Sequence, residues 1–365
     1  MSAAAWSFRL PALPRFTMGP RAYEGVPDVL RPLGNRFLLY GGERALGAGL
    51  GALEAALYGK GFALIALTHR GECTRAQAHE LAGEAGRLGV RAILGMGGGR
   101  AIDVAKAAAH FAGLPCVTFP TIPATCAAVT ALSVMHDPGQ DPGDAMLFLP
   151  GPPLHAFLDT GICAASPAMY LRAGIGDSVA KQAESSWKAG CGNLTYADRL
   201  GLAVARTGYD TLLEAGPQAM RDAEQGLDTD AYRLACQCCV LGTGLVSLLV
   251  REALNGGVAH SLYYALMGLP ALDKYLHGEI VAWGSVPQLL LAGEREEALR
   301  LAGFLDTIGI PSTLGAMGVP PGDPAFLRLL PQTLSQPDMA VTPCPVTLEM
   351  LANAVAAAEA LGEGA

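Results

Sequence analysis

The first 165 residues alternate short apolar runs with amphipathic segments, and this alternation constrains the fold more than any other feature of the chain. Runs typical of buried strands stand at 35–40, 62–67, 91–95 and 115–119. Patterns typical of helices stand at 43–57, 76–88 and 100–111. Strands that are joined through helices run parallel, so this half predicts a Rossmann-like α/β domain built on a parallel sheet. Such sheets bind ligands at the carboxyl ends of their strands.

The pattern changes at Ser166-Pro167, where a serine cap followed by proline predicts the start of a long helix. Strand signals nearly vanish beyond this point. Helices are predicted at 167–189, 193–215, 231–254, 258–267, 276–292 and 294–308, with a closing helix at 347–361. The chain is therefore predicted to hold two domains, an α/β domain at 1–165 and an all-α domain at 166–365.

The charge and hydropathy patterns argue against several partners and locations. Lys and Arg number 25 against 33 Asp and Glu, and the net charge of −8 opposes binding to nucleic acid or to an anionic membrane. The most apolar stretch, 234–250, contains polar residues and glycines, which favours a buried helix over a membrane span. Residues 1–16 lack the pattern of a secretion signal, so a cytoplasmic location is expected.

A predicted strand that runs into glycines is the first element that carries chemistry. Residues 92–106 read AILGMGGGRAIDVAK, in which the strand meets Gly97, Gly98 and Gly99 and a helix follows. Without side chains, the backbone N–H groups and the helix N-terminus can approach a phosphate. The spacing matches neither the GxGxxG fingerprint nor the P-loop. A phosphate cradle and a tight strand-to-helix turn both fit these residues.

Hydroxyl side chains follow the next strand. Thr121, Thr125 and Thr130 can form hydrogen bonds to a cofactor or substrate that lies over the sheet edge, or they can simply close turns.

Three possible metal ligands lie in the helical half. Asp177, His260 and His277 offer one carboxylate and two imidazoles, a set that suits zinc or iron and leaves a coordination position open. Their separations of 83 and 17 positions carry no periodicity that would bring them together. Taken alone, each histidine is more typical of an ordinary core or surface residue.

Taken together and in this order, these elements resemble the iron-containing, or group III, alcohol dehydrogenase superfamily, in its glycerol dehydrogenase-like branch. The resemblance covers almost the whole chain and implies a dehydroquinate synthase-like fold. It rests on Met18-Gly19-Pro20, GMGGGRAIDVAK at 95–106, FPTIPATCAAVTALSV at 119–134, YLRAGIGDSVAKQAE at 170–184, GVAHSLYYAL at 257–266 and KYLHGEIVAWG at 274–284.

The resemblance implies a role for each candidate residue. The loop that binds NAD or NADP is implied to contain Gly97, Gly98, Gly99, Asp103 and Lys106. The residues implied to line the cofactor are Thr121, Thr125, Thr130 and Leu132. The catalytic residues, which are implied to hold one divalent ion of zinc or iron, are Asp177, His260 and His277.

Two departures from the family pattern affect specificity. Glycerol dehydrogenases carry an aspartate that contacts the polyol directly after the equivalent of Thr125, and Cys126 stands there in this chain. The segment around Cys126 looks most like the hydroxycarboxylate dehydrogenases, which reduce 2-oxo acids, and loss of a carboxylate favours an anionic substrate. Gly41-Gly42 stands where some members hold the adenosine ribose with an acidic residue, so both NAD and NADP remain open.

Several charged residues allow two interpretations. Asp103 and Lys106 could instead form a pair on a helix surface. Glu279 could orient His277 or be an exposed charge. Possible cations for a substrate carboxylate, each of which could equally be a surface charge, are Arg100, Lys181, Arg251 and Lys274.

We therefore expect a metal-dependent oxidoreductase that transfers hydride between NAD(P)(H) and a small 2-hydroxy or 2-oxo carboxylic acid. Glycerol or another polyol is the alternative substrate. A dehydroquinate-synthase-like lyase is a further alternative, which the sparse charges near the implied metal ligands disfavour. The resemblance also makes a homo-oligomer the expected assembly.

Overall fold

The fold is taken from a computed structural model that describes residues 11–139, 145–320 and 322–362. Residues 1–10, which carry most of the expectation about a secretion signal, lie outside the described residues.

Strands occupy the first half of the chain and helices fill the second. The strands are β1 (Arg15–Gly19), β2 (Arg36–Gly42), β3 (Ala63–His69), β4 (Ile93–Gly97), β5 (Cys116–Pro120), β6 (Leu132–Val134), β7 (Met146–Phe148) and β8 (His155–Asp159). The helices up to the end of the sheet are α1 (Val26–Leu30), α2 (Glu43–Leu57), α3 (Arg75–Leu88) and α4 (Gly99–Ala112). The later helices are α5 (Thr160–Ala164), α6 (Met169–Lys188), α7 (Tyr196–Glu224), α8 (Asp230–Gln237), α9 (Thr243–Leu249), α10 (Val258–Leu266), α11 (His277–Leu291), α12 (Arg295–Thr307), α13 (Leu314–Met317), α14 (Pro324–Leu329) and α15 (Leu348–Gly362).

Six strands form one parallel sheet in the order β1-β8-β5-β4-β2-β3. The chain leaves β2 for β3 on one side, then crosses back over β2 to β4 and continues through β5 on the other side. The winding direction therefore reverses between β2 and β4, and open α/β sheets bind ligands at such a reversal. Gly42 and Gly97, which end these two strands, lie side by side there.

Helices cover both faces of the sheet. Leu39 and Met96 point to the face covered by α1 and α2, whereas Leu38 and Ile93 point to the face covered by α3 and α4. Since adjacent residues of a strand point to opposite faces, a strand covered on both sides is apolar throughout. This burial explains why the strands appear in the sequence as continuous apolar runs.

The helical half packs around α6 and α11, and Trp283 of α11 is fully buried in its hydrophobic cluster. Ala156 and Leu158 of β8 belong to the same cluster, so the sheet and the helices share one packed core. The parallel sheet followed by helices confirms the predicted fold class.

Four short strands are additions to the predicted elements. β1 and β8 pair with each other along five residues and extend the sheet beyond β5. β6 and β7 form a separate antiparallel hairpin. Each of these strands has only three to five residues, which is too short for periodicity to distinguish from a loop.

Two helices differ from their predicted bounds. α7 continues past the predicted end at 215 to Glu224, and Pro217 lies inside the helix. The helix predicted at 231–254 contains a π-helical turn at Cys238–Gly242 and ends at Leu249. The stretch Asp230–Leu249 is long and apolar enough to cross a membrane, but 56% of it is buried inside the protein, as in a core helix.

Candidate metal centre and neighbouring glycine turn

The glycine turn lies at the reversal point of the sheet. β4 ends at Gly97, whose φ of +139° favours glycine, and α4 begins two residues later with Gly98 as its N-cap. A Cβ on Gly98 would lie only 2.8 Å from Cδ1 of Ile122. The turn therefore presents bare backbone and the N-terminus of a 14-residue helix toward the ligand edge of the sheet.

The threonine segment follows β5 and lies against this turn. Thr121 is buried and its N–H donates to the carbonyl of Gly97 at 3.2 Å. Thr125 Oγ1 lies 3.4 Å from the position that a Cβ on Gly99 would take, so the two loops approach closely. Thr130 is buried, and Leu132 begins β6.

Asp103 and Lys106 form a buried ion pair, with 2.8 Å between Lys106 Nζ and Asp103 Oδ1. The Lys106 ammonium also donates to the carbonyls of Ala127 and Leu132 and to Thr130 Oγ1. The interpretation as a surface pair is wrong, because both side chains point inward and join α4 to the threonine segment. The observed partners of both residues are protein groups, and their contact with a dinucleotide stays a prediction.

The three candidate metal ligands come from three helices. Asp177 lies in α6, His260 in the first turn of α10, and His277 is the first residue of α11. Asp177 Oδ1 lies 3.6 Å from His260 Nε2 and 3.8 Å from His277 Nε2. One ligand atom from each residue lies within 4.8 Å of the other two. Bonds of about 2.0–2.1 Å to a tetrahedral ion would place such atoms roughly 3.4 Å apart, so a small contraction admits the ion.

Glycines allow the elements that carry the ligands to approach. A Cβ on Gly176 would overlap the carbonyl oxygen of Gly278 and lie 3.0 Å from Cβ of Ala282. A Cβ on Gly174 would overlap the carbonyl oxygen of Pro123, which lies in the threonine segment. α6 therefore packs backbone to backbone against α11 on one side and against the threonine segment on the other. This packing holds α6, which carries Asp177, between the threonine segment and α11, which carries His277.

Burial and neighbouring charges set the protonation of the three side chains. Burial alone would raise the pKa of Asp177, but the nearby His260 and the charges of His277 and Lys181 hold this pKa below its usual range. Burial lowers the pKa of His277 to about 4, which keeps its ring neutral and able to ligate. Burial also opposes the charged form of His260, but Glu184 and Asp177 raise its pKa to about 9, so at neutral pH an ion would have to displace a proton from this ring.

Two buried carboxylates stand beside the histidines. Glu184 of α6 is fully buried and accepts hydrogen bonds from the ring and the backbone of His260. Glu279 is also buried; it pairs with Arg172 and accepts from the backbone N–H of Leu276. The interpretation of Glu279 as an exposed charge is therefore wrong.

Sequence reasoning missed Glu184, although a signal was present. Asp177, Lys181, Glu184 and Lys188 follow one another at intervals of four, three and four residues. This spacing places four charges on one face of an otherwise buried helix, which is typical of a functional face.

Three further side chains lie near Asp177 and His277. Cys126 is half-buried in the threonine segment, and burial and the nearby Asp177 raise its thiol pKa to about 12, so the thiol is neutral. Lys181 is half-buried and donates to the backbone and side-chain oxygens of Asn255. Tyr263 of α10 meets the ring of His277 edge to face at 4.3 Å between centroids.

The other candidate cations do not form a cluster with these residues. Arg100 pairs with Glu72, and Arg251 pairs with Asp198. Lys274 stacks over the ring of Tyr275.

Comparison with known proteins gives one consistent result. Residues 14–156 match the family model described as iron-containing alcohol dehydrogenase. A glycerol dehydrogenase of Escherichia coli is 34% identical over 87% of this chain and 86% of its own length. Hydroxycarboxylate dehydrogenase A of Escherichia coli is 31% identical over 92% of this chain and 94% of its own.

The fold comparison agrees. The crystal structure of a probable glycerol dehydrogenase from Sinorhizobium meliloti superposes with a TM-score of 0.84 at 25% identity, covering 98% of this chain and all of that one. The match to the family model, the two curated relatives and this superposition lead to one conclusion: the chain is an oxidoreductase that belongs to the iron-containing alcohol dehydrogenase family, in its glycerol dehydrogenase-like branch.

Proposed function

We propose that this protein is a metal-dependent oxidoreductase that transfers hydride between NAD or NADP and a small polyol such as glycerol. The observation that carries the proposal is the convergence of Asp177, His260 and His277 on helices that pack against the threonine segment, which lies against the glycine turn. The names of the relatives favour glycerol over the 2-hydroxy or 2-oxo acid expected from the residues around Cys126. The polyol therefore becomes the leading substrate of the proposal.

The donor set fits a divalent ion of zinc or iron. An ionised carboxylate and two imidazoles at 3.6–3.8 Å match the ligand types of catalytic zinc sites and leave a position open. A bound ion supplies Lewis acidity that polarises a substrate oxygen. The chain's contribution is to keep Asp177 ionised and to present both Nε2 atoms toward one point.

The cofactor region of the proposal is the cleft between the glycine turn and the threonine segment. The N-terminus of α4 would hold the pyrophosphate, with Gly97, Gly98 and Gly99 admitting it. The Lys106–Asp103 pair fixes the segment that carries Thr130 and Leu132. A bound nicotinamide would supply the hydride chemistry.

The proposal also includes the domain division, the cellular location and the assembly of the protein. Residues 1–165 form the dinucleotide-binding domain and residues 166–365 the helical domain that holds the metal and the substrate. The protein acts in the cytoplasm as a homo-oligomer, without nucleic acid or membrane partners.

One observation favours a second candidate substrate, a small 2-hydroxy or 2-oxo acid. Cys126 contributes a neutral thiol where an aspartate would repel a carboxylate, and the ammonium of Lys181 lies on the same face of α6 as Asp177. A substrate panel separates the candidates: purified protein is assayed with glycerol plus NAD or NADP, and with 2-oxobutanoate or 2-oxoglutarate plus the reduced cofactors. A higher kcat/KM for glycerol than for either oxo acid supports the polyol as substrate. Activity confined to the oxo acids overturns the polyol proposal.

The metal role is tested with His260→Ala and a matched control. His260→Ala should lose bound zinc or iron and turnover together, because one of three ligands is removed. His110→Ala changes an exposed histidine at the end of α4 and should retain both. Metal is measured by elemental analysis of the purified proteins. Full turnover in His260→Ala would refute the proposed site.

A further inference from the structure

We propose that Glu184 is the positioning residue of the metal centre and that it aims the Nε2 atom of His260 at the ion. The inference rests on the proposed metal site, since it concerns how one of its ligands is held. Glu184 itself does not touch the ion: it lies in α6 two turns beyond Asp177 and acts through the far side of the His260 ring.

Both carboxylate oxygens of Glu184 bind the same histidine. Oε2 lies 2.7 Å from Nδ1 of the ring, and Oε1 accepts the backbone N–H of His260 at 2.9 Å. Because a carboxylate accepts hydrogen bonds, this contact holds the proton of a neutral His260 ring on Nδ1. In that tautomer Nε2 carries the lone pair that a ligand needs, and this atom lies 3.6 Å from Oδ1 of Asp177. Glu184 thereby selects both the tautomer and the orientation of the ring.

The start of α10 is built to admit this contact. Its N-cap is Gly257, which has no side chain to satisfy the first amide groups. A Cβ at Gly257 would lie 3.1 Å from Cγ of Glu184 and 2.9 Å from Oε1 of Gln288. These side chains come from neighbouring helices, Glu184 from α6 and Gln288 from α11, and they cap the start of α10. Glu184 accepts the backbone N–H of His260, and Gln288 accepts the backbone N–H of Ala259. The backbone and the ring of His260 are therefore fixed by one residue.

A carboxylate that accepts the Nδ1–H group of a histidine increases the basicity of the opposite ring nitrogen, which strengthens that nitrogen as a ligand.

Glu279 supplies a matched control within the same chain. It is as deeply buried as Glu184, and its Oε2 accepts the backbone N–H of Leu276, just before the ligand His277. Its Oε1 pairs with Nε of Arg172 rather than with a ligand ring. Glu184 and Glu279 therefore share burial and a capping role, and they differ in contact with a ligand nitrogen.

The test compares Glu184→Gln, Glu184→Asp and Glu279→Gln with the parent protein. The zinc dissociation constant is measured by competition with a chelator of known affinity, and the absorption spectrum of the cobalt-loaded protein reports ligand geometry. Glu184→Gln should bind zinc about 10–100-fold more weakly and alter the cobalt spectrum, since the amide cannot accept both N–H groups as an anion. Glu184→Asp should lie between Glu184→Gln and the parent. Glu279→Gln should keep zinc affinity within threefold, even if its Tm falls.

The outcomes separate the claims. If a folded Glu184→Gln protein binds zinc as tightly as the parent, the positioning role is overturned. It is also overturned if Glu184→Gln and Glu279→Gln lose zinc affinity equally, because an equal loss indicates a general structural effect. If Glu184→Gln does not fold by circular dichroism, Glu184→Asp decides, and affinity equal to that of the parent overturns the inference. A parent protein that binds no zinc or cobalt overturns the proposed metal site itself.

Discussion

Gly278 is the residue at which the packing of α6 against α11 can be tested most directly. A Cβ at this position would overlap the carbonyl oxygen of Ala173 and lie 2.8 Å from the carbonyl carbon of the same residue. It would also lie 3.0 Å from the backbone nitrogen of Asp177. All three atoms are backbone, so no side chain can rotate away to make room.

The size of the effect follows from these distances. Nonbonded carbons rest about 3.5–4.0 Å apart, so Gly278→Ala forces α11 away from α6 by roughly 0.7 Å or more. The movement widens the 3.8 Å distance between Asp177 Oδ1 and His277 Nε2, which already exceeds the roughly 3.4 Å that a tetrahedral ion spans. We expect a loss of about 3 kcal/mol in the free energy of unfolding, at the upper end of the usual cost of overpacking. Turnover should fall about 100-fold, as for a misplacement that approaches 1 Å.

Gly303→Ala is the matched control for this substitution. Gly303 also lies in a helix, α12, but it is exposed and a Cβ there would meet nothing within 4 Å. Alanine should raise stability by about 0.5–1 kcal/mol at this position and leave turnover unchanged. Urea unfolding gives the stability, and kcat with metal content gives the function. A Gly278→Ala variant with parental stability and zinc affinity would refute the argument that backbone contact sets the ligand spacing.

Two further predictions concern buried groups. Lys106→Met should cost about 3–5 kcal/mol in urea unfolding, because it leaves the carboxylate of Asp103 buried without its cation. Arg87→Met, which removes a surface ion pair, should leave stability unchanged within error, and equal effects would argue against a structural role for the buried pair. Among the thiols, exposed Cys344 should react with iodoacetamide at pH 8 well before Cys126, whose pKa burial raises to about 12. Mass spectrometry of the modified peptides measures the order, and early modification of Cys126 would contradict its burial.

Local patterns in the sequence predicted the order of the main elements. Continuous apolar runs and helical periodicity carry that information because each strand and helix buries its own residues against the rest of the fold. The elements that periodicity missed are short, such as β8, or depend on contacts elsewhere. For example, α9 ends at Leu249, and the backbone N–H of Arg251 then donates to the side chain of Asp198 in α7 instead of continuing the helix.

The fold class, the glycine turn, the family and the three residues that resemblance names as ligands can be predicted from the amino-acid sequence alone. The tertiary structure determines what those residues touch, since Asp177, His260 and His277 are separated by 83 and 17 positions and meet through packing. It also turned Lys106 inward and placed Glu184 behind the His260 ring. The physical reason is that side-chain identity and spacing specify local structure, whereas the approach of α6 to α11 depends on glycine contacts between distant backbones.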